Sequence, residues 1–362
     1  MALTNKLQAI ADAIRKKTGK TDTLTLDAMV TEIEGISGGG SGALVIDDDG
    51  NVTGTIEEVP SGKYVSTKIT YSGLQTMPIT LKLSKAKSVG NYGFYYCSSL
   101  TSINLPVCTS VGDHGFNSCS SLTSINLPVC TSVGDHGFYY CSSLASINLP
   151  VCTSVGDHGF NSCSSLASIN LPVCTSVGDS GFYYCSSLTS INLPVCTSVG
   201  DSAFESCTSL TSADLSVCEQ GSWGMFRFCT NLTSVNMPSC TSCQQWTFWK
   251  CSSLKDISLP KCESLNTSVF SECSSLTSVD LPACTSVGNS AFESCTSLTS
   301  VILRKTDAVA ALINTSAFTS TPIATGTGYI YVPDTLVDSY KTATNWSTYA
   351  AQIKPLSELP TS

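Results

Sequence analysis

A repeat of 22 residues constrains what this chain can fold into more than any other feature. The string SLTSINLPVCTSVGDHGFNSCS is followed by SLTSINLPVCTSVGDHGFYYCS, and the pattern continues with few changes. Nineteen of the 20 cysteines fall into two columns with a constant step of 22 residues, one starting at Cys97 and the other at Cys108. A constant period of this length indicates a solenoid, in which each coil buries its apolar face only against neighbouring coils.

Each repeat predicts one short strand. In the segment Ser-Ile-Asn-Leu-Pro, the alternation places Ile103 and Leu105 inward and Asn104 outward, and Pro106 is expected to end the strand. Parallel strands on successive coils are spaced by ~4.8 Å, so ten coils predict a rod of roughly 50 Å. The Leu column that includes Leu100 and the Phe column that includes Phe94 keep the same step and are predicted to fill the core.

The repeat pattern also predicts where the solenoid ends. We expect it to span residues 78–305 and to be followed by a C-terminal cap at 306–362, because the repeats degenerate at both ends. Within the cap, Tyr329 to Pro333 matches the strand motif and predicts a last strand. The segment 333–353 predicts two short helices. Their buried side is expected to be Leu336, Val337, Tyr340, Trp346, Tyr349 and Ile353.

The N-terminal region differs from the repeats. Residues 1–37 show apolar positions at helical spacing, with Thr25 as a candidate cap for a second helix, and predict a small α-helical module. A Gly/Ser linker at 38–42 separates this module from a β-rich connector at 43–77. So few residues bury too little apolar area to be stable alone. We therefore expect 1–37 to dock onto a partner surface, either a second copy of the chain or another protein.

Charge excludes several classes of partner. The net charge is −9, and no Lys or Arg occurs between Lys87 and Arg227, where eight acidic residues do. Nucleic-acid binding depends on cations that meet phosphates, so we expect binding neither to nucleic acid nor to an anionic membrane. No apolar run approaches the ~18 residues of a membrane span. The first residues, with Lys6, Asp12 and Arg15, do not have the pattern of a secretory signal either.

The pattern Leu-x-x-Ile-x-Leu-Pro … Val-Gly … Phe-x-x-Cys-x-x-Leu over residues 78–333 resembles the BspA-like leucine-rich repeat, with Phe116 and Cys119 at its Phe and Cys positions. The resemblance implies a leucine-rich-repeat solenoid of short parallel β-strands and turns, and adhesion to surfaces or proteins. The sequence departs from it at Pro-x-Cys, where many members carry Leu. Residues 7–22 and 331–347 resemble the termini of phage tail-associated repeat proteins. That resemblance implies a virion-attached protein, with a tail or baseplate protein as partner of 1–37.

The cysteines are predicted to be reduced and buried, because free Cys packs as a small hydrophobe and both columns occupy core positions. The alternative is a zinc site, which needs clustered Cys-x-x-Cys pairs. Only Cys240 and Cys243 have that spacing, and Cys243 occupies the column of Val111, which favours a core substitution.

A second metal alternative concerns His114, His136 and His158, which recur beside a column of aspartates that includes Asp113. The favoured interpretation is that each Asp caps the turn that follows it and that each His points to solvent. Ser180 replaces His in a later coil. Every candidate for catalysis recurs as a repeat position, so we expect no enzyme, no cofactor and no resident metal.

Two columns between Phe and Cys vary while their neighbours stay fixed. Their Tyr, Ser and Asn content, with Trp and Arg, is typical of an antibody-like paratope, and Trp223, Phe228, Trp246 and Trp249 add aromatic hot-spot candidates. Free drift of exposed positions is the alternative. The predicted partner-binding residues are Tyr95, Tyr96, Asn117, Ser118, Tyr139, Tyr140, Asn161, Ser162, Tyr183, Tyr184, Arg227, Phe228, Trp246, Trp249 and Lys250.

Two functions remain open at this point. The first is a binding protein on a phage tail or cell surface that holds a host protein or glycan. The second is a structural spacer or decoration of a virion, attached through residues 1–37 and without a ligand of its own.

Overall fold

The structure, a computed structural model, describes residues 83 and 86–360, together with the backbone of four short strands before them. It is a parallel β-solenoid of about 12 turns with a small helical C-terminal region, which confirms the predicted fold class. The predicted helical module 1–37 and linker 38–42 lie outside the described residues, as does most of 43–77, so the domain boundaries stay predictions. Within 43–77, Val45–Ile46 pairs antiparallel with Val52–Thr53.

The predicted strand forms the first of two strand columns. Paired strands within the regular repeats are parallel and 22 residues apart, as Ile103 is from Ile125, and the column divides into four sheets. Ile103 is buried and Asn126 is exposed, as predicted. The column comprises Ile56–Glu57, Ile79–Lys82, Leu100–Asn104, Ser124–Asn126, Ser146–Asn148, Ser168–Asn170, Ser190–Asn192, Ser212–Asp214, Ser234–Asn236, Asp256–Ser258, Ser278–Leu281, Ser300–Leu303, Tyr329–Val332 and Ile353–Pro355.

A second column of two-residue strands follows the Cys108 column and was not predicted. Its strands pair in parallel, as Val111 does with Val133, and form two sheets that are separated between Ser198–Val199 and Gln220–Gly221. Cys243 lies in this column between Gly221 and Leu265, which confirms its predicted position. The strands are Ser88–Val89, Ser110–Val111, Ser132–Val133, Ser154–Val155, Ser176–Val177, Ser198–Val199, Gln220–Gly221, Ser242–Cys243, Ser264–Leu265, Ser286–Val287 and Ala311–Leu312.

The helices of the described residues lie at the C-terminal end. The α-helices are Pro322–Thr325 and Val337–Thr342, and the 3-10 helices are Thr315–Phe318, Asp334–Leu336, Trp346–Gln352 and Leu356–Glu358. Trp346 and Tyr340 are fully buried, and their rings contact each other with centroids 5.4 Å apart. Phe318, the last ring of the core column, packs edge-on against Tyr349. The cap thus covers the end of the core with the residues predicted to do so. No helix among the described residues is long and apolar enough to cross a membrane.

The core is a set of stacked columns. Phenylalanine rings form one continuous stack along the rod, with centroids 5.0–5.6 Å apart and ring planes within 2–13°. This spacing follows the strand spacing of the coils, since each coil contributes one ring at the same position. The stacked rings are Phe94, Phe116, Phe138, Phe160, Phe182, Phe204, Phe226, Phe248, Phe270, Phe292 and Phe318.

Candidate recognition surface

The variable residues lie in the turn that precedes each cysteine of the Cys97 column. Alternate backbone N–H groups of this turn donate to the next coil: His114 to Asp135, Phe116 to Gly137 and Ser118 to Tyr139, each at 2.7 Å between N and O. These parallel hydrogen bonds continue the solenoid through a segment without regular strands. The backbone donors of the turn are therefore satisfied, and side chains are what the turn presents to a ligand.

Two positions of every turn adopt left-handed backbone conformation although they are rarely glycine. In one coil they are His114, with φ 55°, and Ser118, with φ 60°. A non-glycine residue pays a steric penalty in this region. The intercoil hydrogen bonds of these same two residues offset that penalty, and the geometry repeats through the stack. The second variable column, which includes Tyr96 and Tyr140, lies entirely at this left-handed position.

The expectation that both variable columns face solvent is wrong for the asparagines. Asn117 and Asn161 expose only 6 % of their surface. The amide of Asn117 lies 2.9 Å from Nδ1 of His114, and Ser118 Oγ donates to its carbonyl oxygen at 2.7 Å. Asn161 makes the same two contacts. In the Asn-Ser coils the first variable position is thus a buried polar anchor, because a short amide reaches hydrogen-bond partners within its own turn.

The tyrosine pairs occur in the coils on either side of each Asn-Ser coil, and their second rings are more exposed than the asparagines. Tyr139 and Tyr140 meet edge to face with centroids 4.6 Å apart, and Tyr183 and Tyr184 do so at 4.7 Å. The first ring of each pair is half-buried, whereas Tyr140 and Tyr184 expose 50 % and 51 %. Between these two pairs lies a cleft of about 420 Å³. Its other lining residues are Ser142, Asn161, Ser162, Ser164 and Ser186.

The same arrangement occurs two coils earlier. Tyr95 and Tyr96 meet edge to face at 4.5 Å, and Tyr96 exposes 56 %. Asn117 and Ser118 lie between this pair and the Tyr139–Tyr140 pair. We call this cleft, walled by Tyr140 and Tyr184, and the equivalent position walled by Tyr96 and Tyr140 the Tyr clefts, and we number them in chain order, so that the equivalent position is the first. Tyr140 is therefore shared by both.

The remaining predicted binding residues form a separate cluster, the aromatic–cation patch. The Arg227 guanidinium lies 4.9 Å from the ring centroids of both Phe228 and Trp249, and 5.3 Å from that of Trp246. Lys250 lies 4.9 Å from the Trp249 centroid. Trp223 completes the patch at 5.8 Å from Arg227. Each cation–π contact at a partly exposed site contributes about 0.5–1 kcal/mol, so the patch holds its own shape without a partner.

A buried acid, Glu205, pairs with the arginine of the patch. Glu205 is 5 % exposed, accepts a hydrogen bond from Ser202 Oγ at 2.7 Å and lies 3.4 Å from Nε of Arg227. Glu205 occupies the column of Asn117 and Asn161. A charge pair thus replaces the neutral floor of the Tyr clefts, and the cleft pattern ends at this coil.

The aspartate column does not cap its own turns, which corrects the sequence-based interpretation. Asp113 Oδ1 accepts the backbone N–H of Asp135 in the next coil at 3.1 Å, and Asp135 does the same for Asp157 at 2.9 Å. The row continues to Asp201, which accepts from the N–H of Trp223. Equivalent residues of adjacent coils lie about 5 Å apart, so the nearest unpaired donor belongs to the next coil.

The histidine column does not point freely to solvent. All three rings are half-buried and stacked, with centroids 4.6 Å apart for His114 and His136 and 4.7 Å for His136 and His158. Burial, and then the neighbouring His158 and His114, lower the pKa of His136, against the opposing effect of Asp135 and Asp157. Among the described residues, no group of three or more His, Cys, Asp or Glu side chains is placed to hold a metal ion.

The cysteines lie in the core, as predicted. All 20 are buried, and the structure joins none of them in a disulfide bond. Cys119 Sγ donates to the carbonyl of Phe94 at 3.0 Å, and Cys108 Sγ to that of Ser110 at 3.2 Å, and both contacts recur along their columns. Sγ of Cys240 and Cys243 are 3.9 Å apart. Hydrogen bonds to Cys240 and Cys262, together with burial, raise the pKa of Cys243.

Two exposed features were missed from the sequence. Tyr92 exposes 50 % and stacks on His114 at 4.6 Å between centroids. A valine column on the strand side, including Val151 and Val195, is 38–43 % exposed. Counting back one period from His114 would have identified Tyr92. The sequence analysis assigned no role to the valines, each of which directly precedes a buried cysteine.

Comparison with known proteins agrees with this architecture. The stacked parallel strands and the 22-residue unit define a leucine-rich-repeat solenoid. The model of the BspA type leucine rich repeat region matches residues 87–211, 131–252 and 222–336, which together span more than half of the chain. The chain belongs to the BspA type leucine-rich-repeat family. The match indicates no catalytic family. Among curated proteins, no sequence matches.

Solved structures with a similar fold come from several bacteria. A leucine-rich repeat protein from Bacteroides ovatus is 23 % identical with a TM-score of 0.43, over 76 % of this chain and 83 % of that one. A leucine rich cell surface protein from Faecalibacterium prausnitzii is 19 % identical with a TM-score of 0.40, over 86 % and 96 %. The leucine rich repeat protein of T. pallidum is 22 % identical with a TM-score of 0.34, over 65 % and 87 %. These similarities concern the fold alone.

Proposed function

We propose that this protein is a non-enzymatic recognition protein that presents the turn side of its solenoid to a partner. The observation that carries the proposal is the clustering of exposed aromatics on that side. Tyr96, Tyr140 and Tyr184 are at least half exposed, and the aromatic–cation patch follows further along the same turn column. Exposed aromatic clusters lower solubility unless they bind something, and Tyr, Trp and Arg dominate the energetics of interfaces.

The family supports a surface role. BspA type repeat proteins are typically surface or extracellular, and leucine-rich-repeat proteins generally mediate protein–protein interactions. We propose the outside of a cell or of a virion tail as the location, and a host surface protein or glycan as the partner. The termini that resemble phage tail-associated proteins favour attachment of residues 1–37 to a tail or baseplate protein, or to a second copy of the chain.

A structural spacer is the second candidate. The aromatic–cation patch favours it in one respect, because Arg227 already contacts four rings of its own chain and an acid. A cluster whose cation is already held by rings and an acid of the same chain can stiffen a rod without binding a ligand. The two functions therefore predict different effects of removing exposed aromatic rings. A recognition protein would lose binding of its partner, whereas a spacer has no binding to lose.

The experiment is a binding screen of the full chain on arrays of immobilised extracellular-matrix proteins, bacterial cell walls and polysaccharides. We expect binding to at least one of them. Trp246→Ala with Trp249→Ala, or Tyr140→Ser with Tyr184→Ser, should weaken it by about 2 kcal/mol or more, as expected for hot spots. Val151→Ala with Val195→Ala, on the strand side, is the matched control and should leave binding unchanged. Absence of binding on every array would favour the spacer, whereas binding that all three double variants retain would show that the turn side is not the binding surface.

A further inference from the structure

We propose that the two Tyr clefts bind a neutral polysaccharide laid along the rod, with equivalent sugar rings in successive clefts. The inference rests on the proposed function and names the chemistry of its ligand. It is argued from the aromatic rings and neutral hydrogen-bonding groups of the clefts, from the absence of cations and of free backbone donors in their lining, and from their spacing along the rod.

The clefts offer ring faces and neutral hydrogen-bonding groups. The walls are the exposed rings of Tyr140 and Tyr184, and serine hydroxyls with a buried amide line the rest. Burial, and then the adjacent Tyr140, raise the pKa of Tyr139, so its hydroxyl stays a neutral donor and acceptor. Pyranose rings combine an apolar C–H face with a periphery of hydroxyls. The C–H face suits the negative π-face of tyrosine, and the hydroxyls suit the serines.

The clefts lack the features that a polypeptide needs. A bound peptide strand pairs with an open sheet edge, but the cleft backbone N–H groups of Tyr140, Ser162 and Tyr184 already donate to the next coil at 2.7–2.9 Å. An apolar side-chain anchor needs a desolvated apolar pocket. Here the floor is polar, since Asn161 and Ser162 are hydrogen-bonded to each other between the rings.

Charge decides between neutral and anionic polymers. None of the residues that line the cleft between Tyr140 and Tyr184 is a Lys or Arg, and the row from Asp113 to Asp201 runs through the same turns. An acidic polysaccharide would therefore meet a negative potential on approach, whereas a neutral one would not.

The spacing implies a repeating ligand. The Asn-Ser floors recur every two coils with the same internal hydrogen bonds, 2.7 Å in the first cleft and 2.8 Å in the second. Two coils advance about 10 Å along the rod. Two identical clefts in line bind a periodic polymer more tightly than either alone, because the second contact is intramolecular.

The test is affinity electrophoresis of the full chain in gels that contain one soluble polysaccharide each: a β-glucan, a mannan, a galactan or dextran, with dextran sulfate as the anionic counterpart of dextran. We expect retardation by at least one neutral polymer and none by dextran sulfate. Tyr140→Ser should weaken the binding at least tenfold. Tyr96→Ser and Tyr184→Ser, which each remove a wall of one cleft only, should weaken it less.

The serine variants are expected to fold, so a loss of binding can be assigned to the removed rings. Serine already occupies the same left-handed position at Ser118 and Ser162, so each change reproduces a turn that the chain contains. Val151→Ala, at an exposed apolar position that does not line the cleft, is the control and should leave retardation unchanged. Retardation by no neutral polymer, or retardation that survives Tyr140→Ser, would overturn the inference. The inference would also be overturned if the chain bound no polysaccharide but bound a polyproline peptide, and Tyr140→Ser abolished that peptide binding. A chain that binds a matrix protein through Trp246 and Trp249 but no polysaccharide would leave the proposed function standing and this inference refuted.

Discussion

The three histidines of the turn column illustrate how the repeat changes the environment of a single residue. From the sequence, a His beside an Asp at a turn is a solvated residue. In the solenoid the same position recurs about 5 Å away, so each ring stacks on the next and is half-buried. The environment of His136 is therefore set by His114 and His158, which are 22 residues away in the chain.

Stability should depend on the protonation of His136. Its pKa in the folded chain lies below the ordinary 6.5. Above pH 6.5 both states are neutral and the folded state carries no penalty. As the pH falls below 6.5, the unfolded chain binds a proton that the folded chain binds only at lower pH, so stability is lost. Thermal unfolding between about pH 7.5 and about pH 5.5 should show a falling midpoint, and His136→Ser should make the fall shallower.

The serine variant is conservative, because Ser180 and Ser202 occupy the same column. Asn126→Ser, at an exposed strand position of the same repeat, is the control and should keep the slope of the parent chain. An unchanged slope in His136→Ser would refute the role assigned to this histidine.

At the same scale, the candidate site could be predicted only in part. Tyr140 and Tyr184 could be identified as candidates from the sequence, because their column varies from repeat to repeat while the neighbouring columns stay fixed. The burial of Asn117 does not, because it depends on a hydrogen bond to His114 within a left-handed turn. The cleft itself depends on alternation between coils. The cleft forms because a coil with small residues, Asn161 and Ser162, lies between two coils with large tyrosines. The sequence of one repeat does not show this difference between neighbouring coils.

At the scale of the elements, the glycine column explains how closely the coils approach. A Cβ added to Gly134 would lie 2.6 Å from Oδ1 and 2.8 Å from the backbone N of Asp113, in the coil before it. Gly134→Ala would therefore separate two coils at the aspartate row. We expect a loss of about 1–3 kcal/mol, as for other overpacked sites.

Chemical denaturation of Gly134→Ala measures that loss, and Gly90→Ala is the matched control from the same column. A Cβ at Gly90 meets no described atom within 4 Å, so this change should be nearly neutral. Equal losses at the two positions would mean that the cost is a property of the turn backbone and not of the contact between coils.

The strands themselves were predictable to different degrees. The first column was found from the alternation around Asn104, and the strand Tyr329–Val332 from its match to the motif. It is not the last strand as predicted, because Ile353–Pro355, expected to be the end of a helical segment, pairs with it as a further strand. The second column was not found, because two-residue strands such as Ser110–Val111 are too short to show a period. Their existence follows from the stacking of coils, which pairs any extended residues at equivalent positions.

At the scale of the whole molecule, stability comes from contacts between neighbouring coils, as expected of a solenoid. The Phe stack runs without interruption from Phe94 to Phe318, and the cap closes its end with Trp346 and Tyr349. This arrangement was predictable from the period alone. The cysteine columns lie within the same core, so the reactivity of the thiols reports on the integrity of the rod as a whole.

The thiols should be nearly silent in the folded protein and should all appear when it unfolds. Burial, and then Cys130, raise the pKa of Cys152 to about 12, and burial and then Cys108 raise that of Cys130 to about 11. The thiolate is the reactive form, so at about pH 8 ionisation disfavours reaction at these two thiols. Hydrogen bonds with Cys243 and Cys262 lower the pKa of Cys240 to about 4, and there burial alone keeps a thiol reagent out. We expect few thiols to react in the native chain and close to 20 to react in guanidinium without reductant. A sample reduced before denaturation is the control and should give the same count. A count well below it in the unreduced sample would mean that the cysteines are paired, and most thiols reacting in the native state would mean that the two columns do not lie in a closed core.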